Sequence, residues 1–254
     1  MPILRPTSRS AGSSMSKSQW IPKMNKTSEA IKSANLIVIG RLVDASNATL
    51  QATLENTDPV MKVIYKPVLG EKPLWDFADG NLANREYAAY LLSELGDFNL
   101  VPTTVLREGP FGFGMVQEWI EIDEELDVVD FGQSNDPQLR KLALFDAIIN
   151  NTDRKFGHLL VDQDGKLRGC DHGVCFHQEN KLRTVLWQFA GEQFTTEEIE
   201  LLNKVAKLDL NSLFAELLTS AEISALSERT SNLLAAGQFP FPSDQWPAIP
   251  WPPV

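Results

Sequence analysis

Apolar positions follow two rhythms along this chain. In the first half they come in short β-branched or alternating runs. In the second half they recur at helical spacing. Leu36 to Val43 (LIVIGRLV) predicts a strand, Thr49 to Glu55 a returning strand after the Asp44-Ala45-Ser46-Asn47 turn, and Val60 to Tyr65 a third strand stopped by Pro67. A Pro- and Gly-rich loop, residues 66–80, precedes Leu82 to Leu95, where the spacing is helical and Gly96 stands as a C-cap. Pro102 to Arg107 and Gly114 to Ile120 read as two more strands around the Gly-Pro pair at 109–110. Seven acidic residues between 118 and 130 suggest an exposed connector. Pro137 to Asn150 is an amphipathic helix with Pro in its first turn. His158–Val161 and Leu167–Cys170 form a hairpin around Asp164-Gly165, and helices are expected over 195–207, 208–219 and 221–236. The last stretch, 239–254, holds six Pro and two Trp.

The implied organisation is a polar N-terminal tail (1–33), loose at first and helical near Ser28–Ser33, then a β-rich part with one main helix (34–120). An acidic linker (121–136), a helical part (137–238) and a Pro/Trp-rich tail docked through Trp246 and Trp251 follow. Charge sharpens this picture. The net charge is −11, but residues 1–34 carry six basic residues and one Glu, so the remainder holds 17 basic against 33 acidic residues. Such a body repels nucleic acid and anionic membrane. Only two cysteines are present, which suits a reducing, cytoplasmic setting. No apolar run approaches the roughly 20 residues of a bilayer span. The N-terminus lacks the apolar core of a secretory signal, and Met15 and Met24 are further candidate starts.

Five charged residues carry candidate chemistry. Lys66 ends an apolar strand and Glu86 lies on the following helix, so the two can pair and present a fixed positive charge to a polyphosphate. Asp153 follows a helix and a tight turn, where a carboxylate can take a proton from an attacking hydroxyl. Asp171 precedes His172-Gly173 and suits a hard divalent ion that needs oxygen ligands. Lys155 can neutralise phosphate charge.

DRKFGH, the short hairpin and CDHG together resemble the catalytic and metal-binding loops of the protein-kinase-like fold, nearest to phosphatidylinositol 3-/4-kinases and HipA-type kinases. YKPVLGEKP resembles the lysine strand of phosphatidylinositol 4-kinases. With RLVDASNATL, PLWDF, VPTTVLREGPFGFGMVQ and a PWPP end, residues 36–254 look like an actinobacterial phosphatidylinositol-kinase-like family of undefined substrate. The resemblance implies a two-lobed α+β fold, with a β-rich N-lobe and a mostly helical C-lobe. It also implies an ATP-dependent kinase using Mg²⁺ or Mn²⁺, with a protein, small molecule or lipid headgroup as acceptor. Lys66 would contact the ATP phosphates and Glu86 would orient it. The turn containing Ser46 and Asn47 would cover the phosphates, and Gln117, Glu118 and Trp119 would lie on the hinge strand beside adenine. Asp153 would be the base, Lys155 would stand beside the transferred group, and Asp171 would hold the metal. The pattern departs at His158, where Asn is usual as a second metal ligand, and at His172, where Phe is usual in protein kinases. Imidazole prefers softer metals than magnesium.

Three rivals stand beside this reading. All three histidines and both cysteines lie between His158 and His177, so Cys170, His172, Cys175 and His177 could form a zinc site. The chain could be a nucleotide-binding pseudokinase, or it could transfer a nucleotidyl rather than a phosphoryl group. GPFGFG at 109–114 has the wrong glycine order for a dinucleotide fingerprint and reads as a hairpin turn.

Overall fold

The computed structural model describes residues 25–42 and 47–254. The expectations for residues 1–24 and for the turn through Ser46 lie outside the described residues. Five strands, β1 (Leu36–Arg41), β2 (Leu50–Leu54), β3 (Met61–Pro67), β4 (Thr104–Gly109) and β5 (Gly112–Glu118), form an antiparallel sheet in the order β1-β2-β3-β5-β4. Strand alternation decides what each face carries. On β3, Val63 and Tyr65 are buried in a small core with Ile31, Leu54 and Val116, while Lys66 stands on the other face. Lys66 pairs with Met115 of β5 in the sheet register, so it stands near the middle of the lobe. Helix α1 (Lys26–Ser33), capped by Asn25, closes this core, and the Arg107 guanidinium holds its end by donating to the Ile31 and Ala34 carbonyls.

Helix α2 (Leu82–Leu95) starts where Asn81 and Glu71 both accept its free N–H groups, so the 66–80 loop is tied to the helix it precedes. Gly96 is the C-cap of α2, as expected, its N–H donating to the Leu92 carbonyl, but it does not take the left-handed conformation. Its φ is −85°, and it is Asp97 that takes the left-handed conformation, with φ 61°. A Cβ on Gly96 would lie 2.8 Å from the Leu92 carbonyl and 3.1 Å from Val205, so glycine is needed there for close packing.

The second lobe is built from α3 (Val128–Gly132), α4 (Pro137–Ile149), the hairpin β6 (Leu159–Val161) and β7 (Leu167–Gly169), α5 (Thr196–Ala206), α6 (Leu210–Phe214) and α7 (Ser220–Ala236). Its apolar core takes in Ala88, Leu91 and Leu92 of α2, so that helix packs on both lobes. Capping boxes open α5 and α7, and each box glutamate also receives an arginine from another helix. Glu198 holds Arg140 of α4, and Glu222 holds Arg85 of α2 at 2.6 Å in a buried pair that ties the lobes together. The expected α+β layout is therefore present, a β-rich lobe with one main helix followed by a mostly helical lobe.

Two connecting segments carry detail that spacing did not give. No residue of 121–130 in the acidic linker is buried, in line with an exposed connector, but the linker also contains α3, capped by Asp127, and the Asp123 N–H donates to the Val161 carbonyl of β6. The terminal segment docks through Phe239, which packs on Phe194, and through Trp246, whose ring lies 4.5 Å from the Lys181 ammonium. Trp251 is 86% exposed and takes no part in docking. Instead the Ala248 carbonyl accepts from Thr184 N–H and from the Trp187 indole, and the Pro253 carbonyl accepts from Phe156 N–H. No described helix is long and apolar enough to cross a membrane.

Candidate functional site

Helix α4 ends at Asn150, which takes the left-handed conformation with φ 54°. Its side chain then fixes the chain that returns past it: Nδ2 donates to the His177 and Glu179 carbonyls, and Oδ1 accepts from Lys181 N–H. The next residue repeats the device, since Asn151 Oδ1 accepts from Asp153 N–H and its Nδ2 donates to Asp146. Asp153 is thus set by side-chain-to-backbone bonds and not by loop length alone.

A fully buried salt bridge lies directly beneath. Arg154 reaches Asp146 of α4 through Nε at 2.8 Å and Nη2 at 2.9 Å, and both side chains are 0% exposed. The same guanidinium donates to the Cys170 carbonyl at 2.9 Å and faces His172 Nε2 at 2.8 Å. One cation therefore ties the Asp153 loop to the Asp171 loop. Neither Asp146 nor Arg154 was singled out from sequence. The available signal was a carboxylate on the apolar stripe of a helix.

Above this pair the expected ions converge. Lys66 Nζ lies 2.6 Å from Glu86 Oε1 and 2.8 Å from Asp171 Oδ1. Burial alone would lower the lysine pKa, but Asp171 and Glu86 outweigh it and keep the ammonium charged. Burial raises the Glu86 carboxyl, with Lys66 opposing, and its second oxygen accepts from His172 N–H. Lys66 holds the Asp171 carboxylate below its usual range against the cost of burial. Asp171 has φ 59°, a left-handed conformation that aspartate tolerates better than most side chains. Asp153 is raised, by burial first and by Asp171, with Lys155 3.5 Å away opposing.

His158 Nε2 lies 3.4 Å from Asp171 Oδ2, so the departure from the expected Asn still faces the carboxylate expected to hold a metal. Burial pushes the imidazole down to about 4, so its ring is neutral and can act as a ligand. One carboxylate and one neutral imidazole are donors that a divalent ion can use. The zinc rival does not fit. Among the described residues no three His, Cys, Asp or Glu side chains converge as a metal site. Burial pushes the Cys170 thiol up to about 12 and raises Cys175, His172 packs against Arg154, and His177 Nδ1 accepts from Glu179 N–H.

The nucleotide-side residues are brought together unevenly. Asn47 borders the same cleft, but its Oδ1 accepts from Lys72 N–H and so fastens the neighbouring loop. Gln117 is buried and donates to Thr104, while Glu118 N–H and Trp119 N–H bond to the Thr103 and Lys62 carbonyls. These three residues were expected beside adenine. β5 lies inside the sheet between β3 and β4, and the Gln117 side-chain amide and the N–H groups of Glu118 and Trp119 are already engaged by neighbouring protein groups. The cleft, about 360 Å³, also holds groups that sequence did not identify: Trp75, Lys181 and Arg183, with Trp246 from the terminal segment.

Acid stability tests the buried state of His158. A histidine that titrates near 6.5 unfolded and near 4 folded stabilises fully above about pH 6.5 and loses that contribution as pH falls toward about 4. The full contribution is roughly 3 kcal/mol. Glu86 and Asp153, raised in the fold, act in the opposite sense, so the diagnostic is a difference. Metal-free wild type should lose melting temperature between pH 6.5 and 4.5 faster than His158→Gln. Parallel curves would contradict a buried neutral imidazole.

No family model matches the chain. Protein Rv2133c of Mycobacterium tuberculosis (strain ATCC 25618 / H37Rv) is 39% identical, over 85% of this chain and 91% of that protein. Phosphatidylinositol 4-kinase gamma 3 of Arabidopsis thaliana is 26% identical, over 50% of this chain and 28% of that protein. The crystal structure of a Helicobacter pylori proinflammatory kinase, CtkA, aligns with a TM-score of 0.44 at 11% identity, covering 82% of this chain and 94% of that one.

Proposed function

We propose that this chain, which belongs to the family of the mycobacterial Protein Rv2133c, is an ATP-dependent phosphotransferase acting on a hydroxyl acceptor. The observation that carries the reading is the convergence of Lys66, Glu86, Asp171 and His158 on one ion cluster, with Asp153 on the same cleft. The distant match to a plant phosphatidylinositol 4-kinase supports the kinase class and leaves the acceptor open.

In this reading Lys66, held charged by Glu86, offsets the negative charge of the ATP phosphates. Asp153 accepts the acceptor hydroxyl proton as the oxygen attacks the γ-phosphorus. The bond from that phosphorus to the β-bridging oxygen breaks, and ADP leaves with the electron pair. Lys155, beside Asp153, faces the transferred group. Asp171 and His158 would hold Mg²⁺ or Mn²⁺, which supplies charge neutralisation to the phosphates. The raised pKa of Asp153 suits a base, because a weakly basic carboxylate would not take the proton.

A second reading, nucleotide binding without transfer, is favoured by one observation: an imidazole stands where the resembled families carry the Asn ligand. Incubation with γ-labelled ATP and each ion, with mass spectrometry of the protein, separates the two. A rise in melting temperature with ATP and metal is expected in both. Label transferred to an acceptor or to the chain itself supports the first reading only, and no thermal response with either ion contradicts both.

A further inference from the structure

A second cavity lies away from the catalytic cleft, in the helical lobe, and measures about 380 Å³. That volume falls within the roughly 300–1,000 Å³ range of small-molecule sites. One wall is helix α7, with Ala225, Arg229, Asn232 and Leu233. The opposite wall is apolar, from Trp187, Phe239 and Phe241.

Arg229 is the feature that asks for a ligand. Its Nε donates to the Ile148 carbonyl of α4 at 2.9 Å, and this is its one hydrogen bond among the described residues. Nη2 is enclosed without a partner. Among the described residues no carboxylate lies within ion-pair distance of it, whereas Arg85, Arg140 and Arg154 each have at least one. Burial lowers its pKa to about 10, with Cys175 and Glu228 opposing. A guanidinium that is partly removed from water and has no counter-ion carries a cost, and an anion delivered from solution removes it. Glu228 also lines the cavity, so a singly charged anion is favoured over a dianion.

We propose that this cavity binds a small monocarboxylate with an apolar, preferably aromatic, body. The carboxylate sits on Arg229, and the ring lies against Trp187, Phe239 and Phe241. The site is independent of the phosphotransferase reading and stands or falls without it. It does border the catalytic machinery: Asn180 and Leu182 line the cavity, and Lys181 between them bonds the Asn150 cap that leads into Asp153.

The test is calorimetric titration and thermal shift of the full chain with phenylbutyrate, and with phenylbutyramide as the neutral isostere. Wild type should bind the carboxylate saturably and the amide about tenfold more weakly or less, the difference expected for losing a charge-assisted hydrogen bond. Arg229→Gln should lose the preference while keeping its far-ultraviolet dichroism. Should that variant fail to fold, Ala225→Phe fills the cavity and leaves Arg229 in place, and it should abolish binding. Absence of saturable binding to wild type, equal affinity for the amide, or unchanged binding in Ala225→Phe would each overturn the proposal.

Discussion

Asp153→Ala should lower phosphoryl transfer by about a thousandfold and leave ATP affinity nearly unchanged, since a positioned base typically contributes about 10²–10⁴. The separation of the two effects follows from geometry. Asp153 makes no ion pair with Lys66; its ion pair among the described residues is with Lys155 at 3.5 Å. Its N–H is held by Asn151, so removal of the carboxylate leaves the loop backbone anchored. Asp153→Asn is the companion variant, because it keeps the shape and removes the basicity. Single-turnover transfer and nucleotide titration are the two measurements. Full activity in either variant would end the role assigned to Asp153. Loss of ATP binding together with transfer would instead make it a nucleotide or metal residue.

The second large effect is structural. Asp146→Ala should destabilise the protein by about 3–5 kcal/mol, because it leaves Arg154 as an uncompensated buried charge. For a chain of this length that corresponds to a fall in melting temperature of roughly 10 °C. The loss should not be confined to stability. Arg154 also holds the Cys170 carbonyl and faces His172, so its displacement moves Asp171 and Asp153 together. Replacing both partners with apolar residues, Asp146→Leu with Arg154→Met, should recover much of the melting temperature and little of the activity. Recovery of both would show that the pair does not position the loops. A small effect of Asp146→Ala alone would mean that the guanidinium reaches water.

The loops of the site were legible because each is a local pattern. Asn150 to Lys155 follows an amphipathic helix, and Asp171 follows a short hairpin, so chain direction alone brings the two carboxylates near one edge of the helical lobe. The Lys66–Glu86 pair was legible for a similar reason: a strand end and the next helix face each other in a small lobe. For the strand expected beside adenine, spacing located β5 but not that the Gln117 side chain and the N–H groups of Glu118 and Trp119 are bonded within the protein. Trp251 was misplaced because composition marks an aromatic as a candidate anchor without saying which way the chain turns after Trp246.

The sequence by itself determined the order of the elements, the two lobes and the residues able to do ion chemistry. Those properties depend on periodicity, capping and residue type, which are local along the chain. Tertiary structure alone decided which ions meet. The buried Arg154–Asp146 pair, the Arg85–Glu222 tie between lobes, the approach of His158 to Asp171 and the isolation of Arg229 all depend on contacts between distant segments. A charge in a sequence reads the same whether it will be solvated, paired or stranded; only packing removes the water and makes the difference.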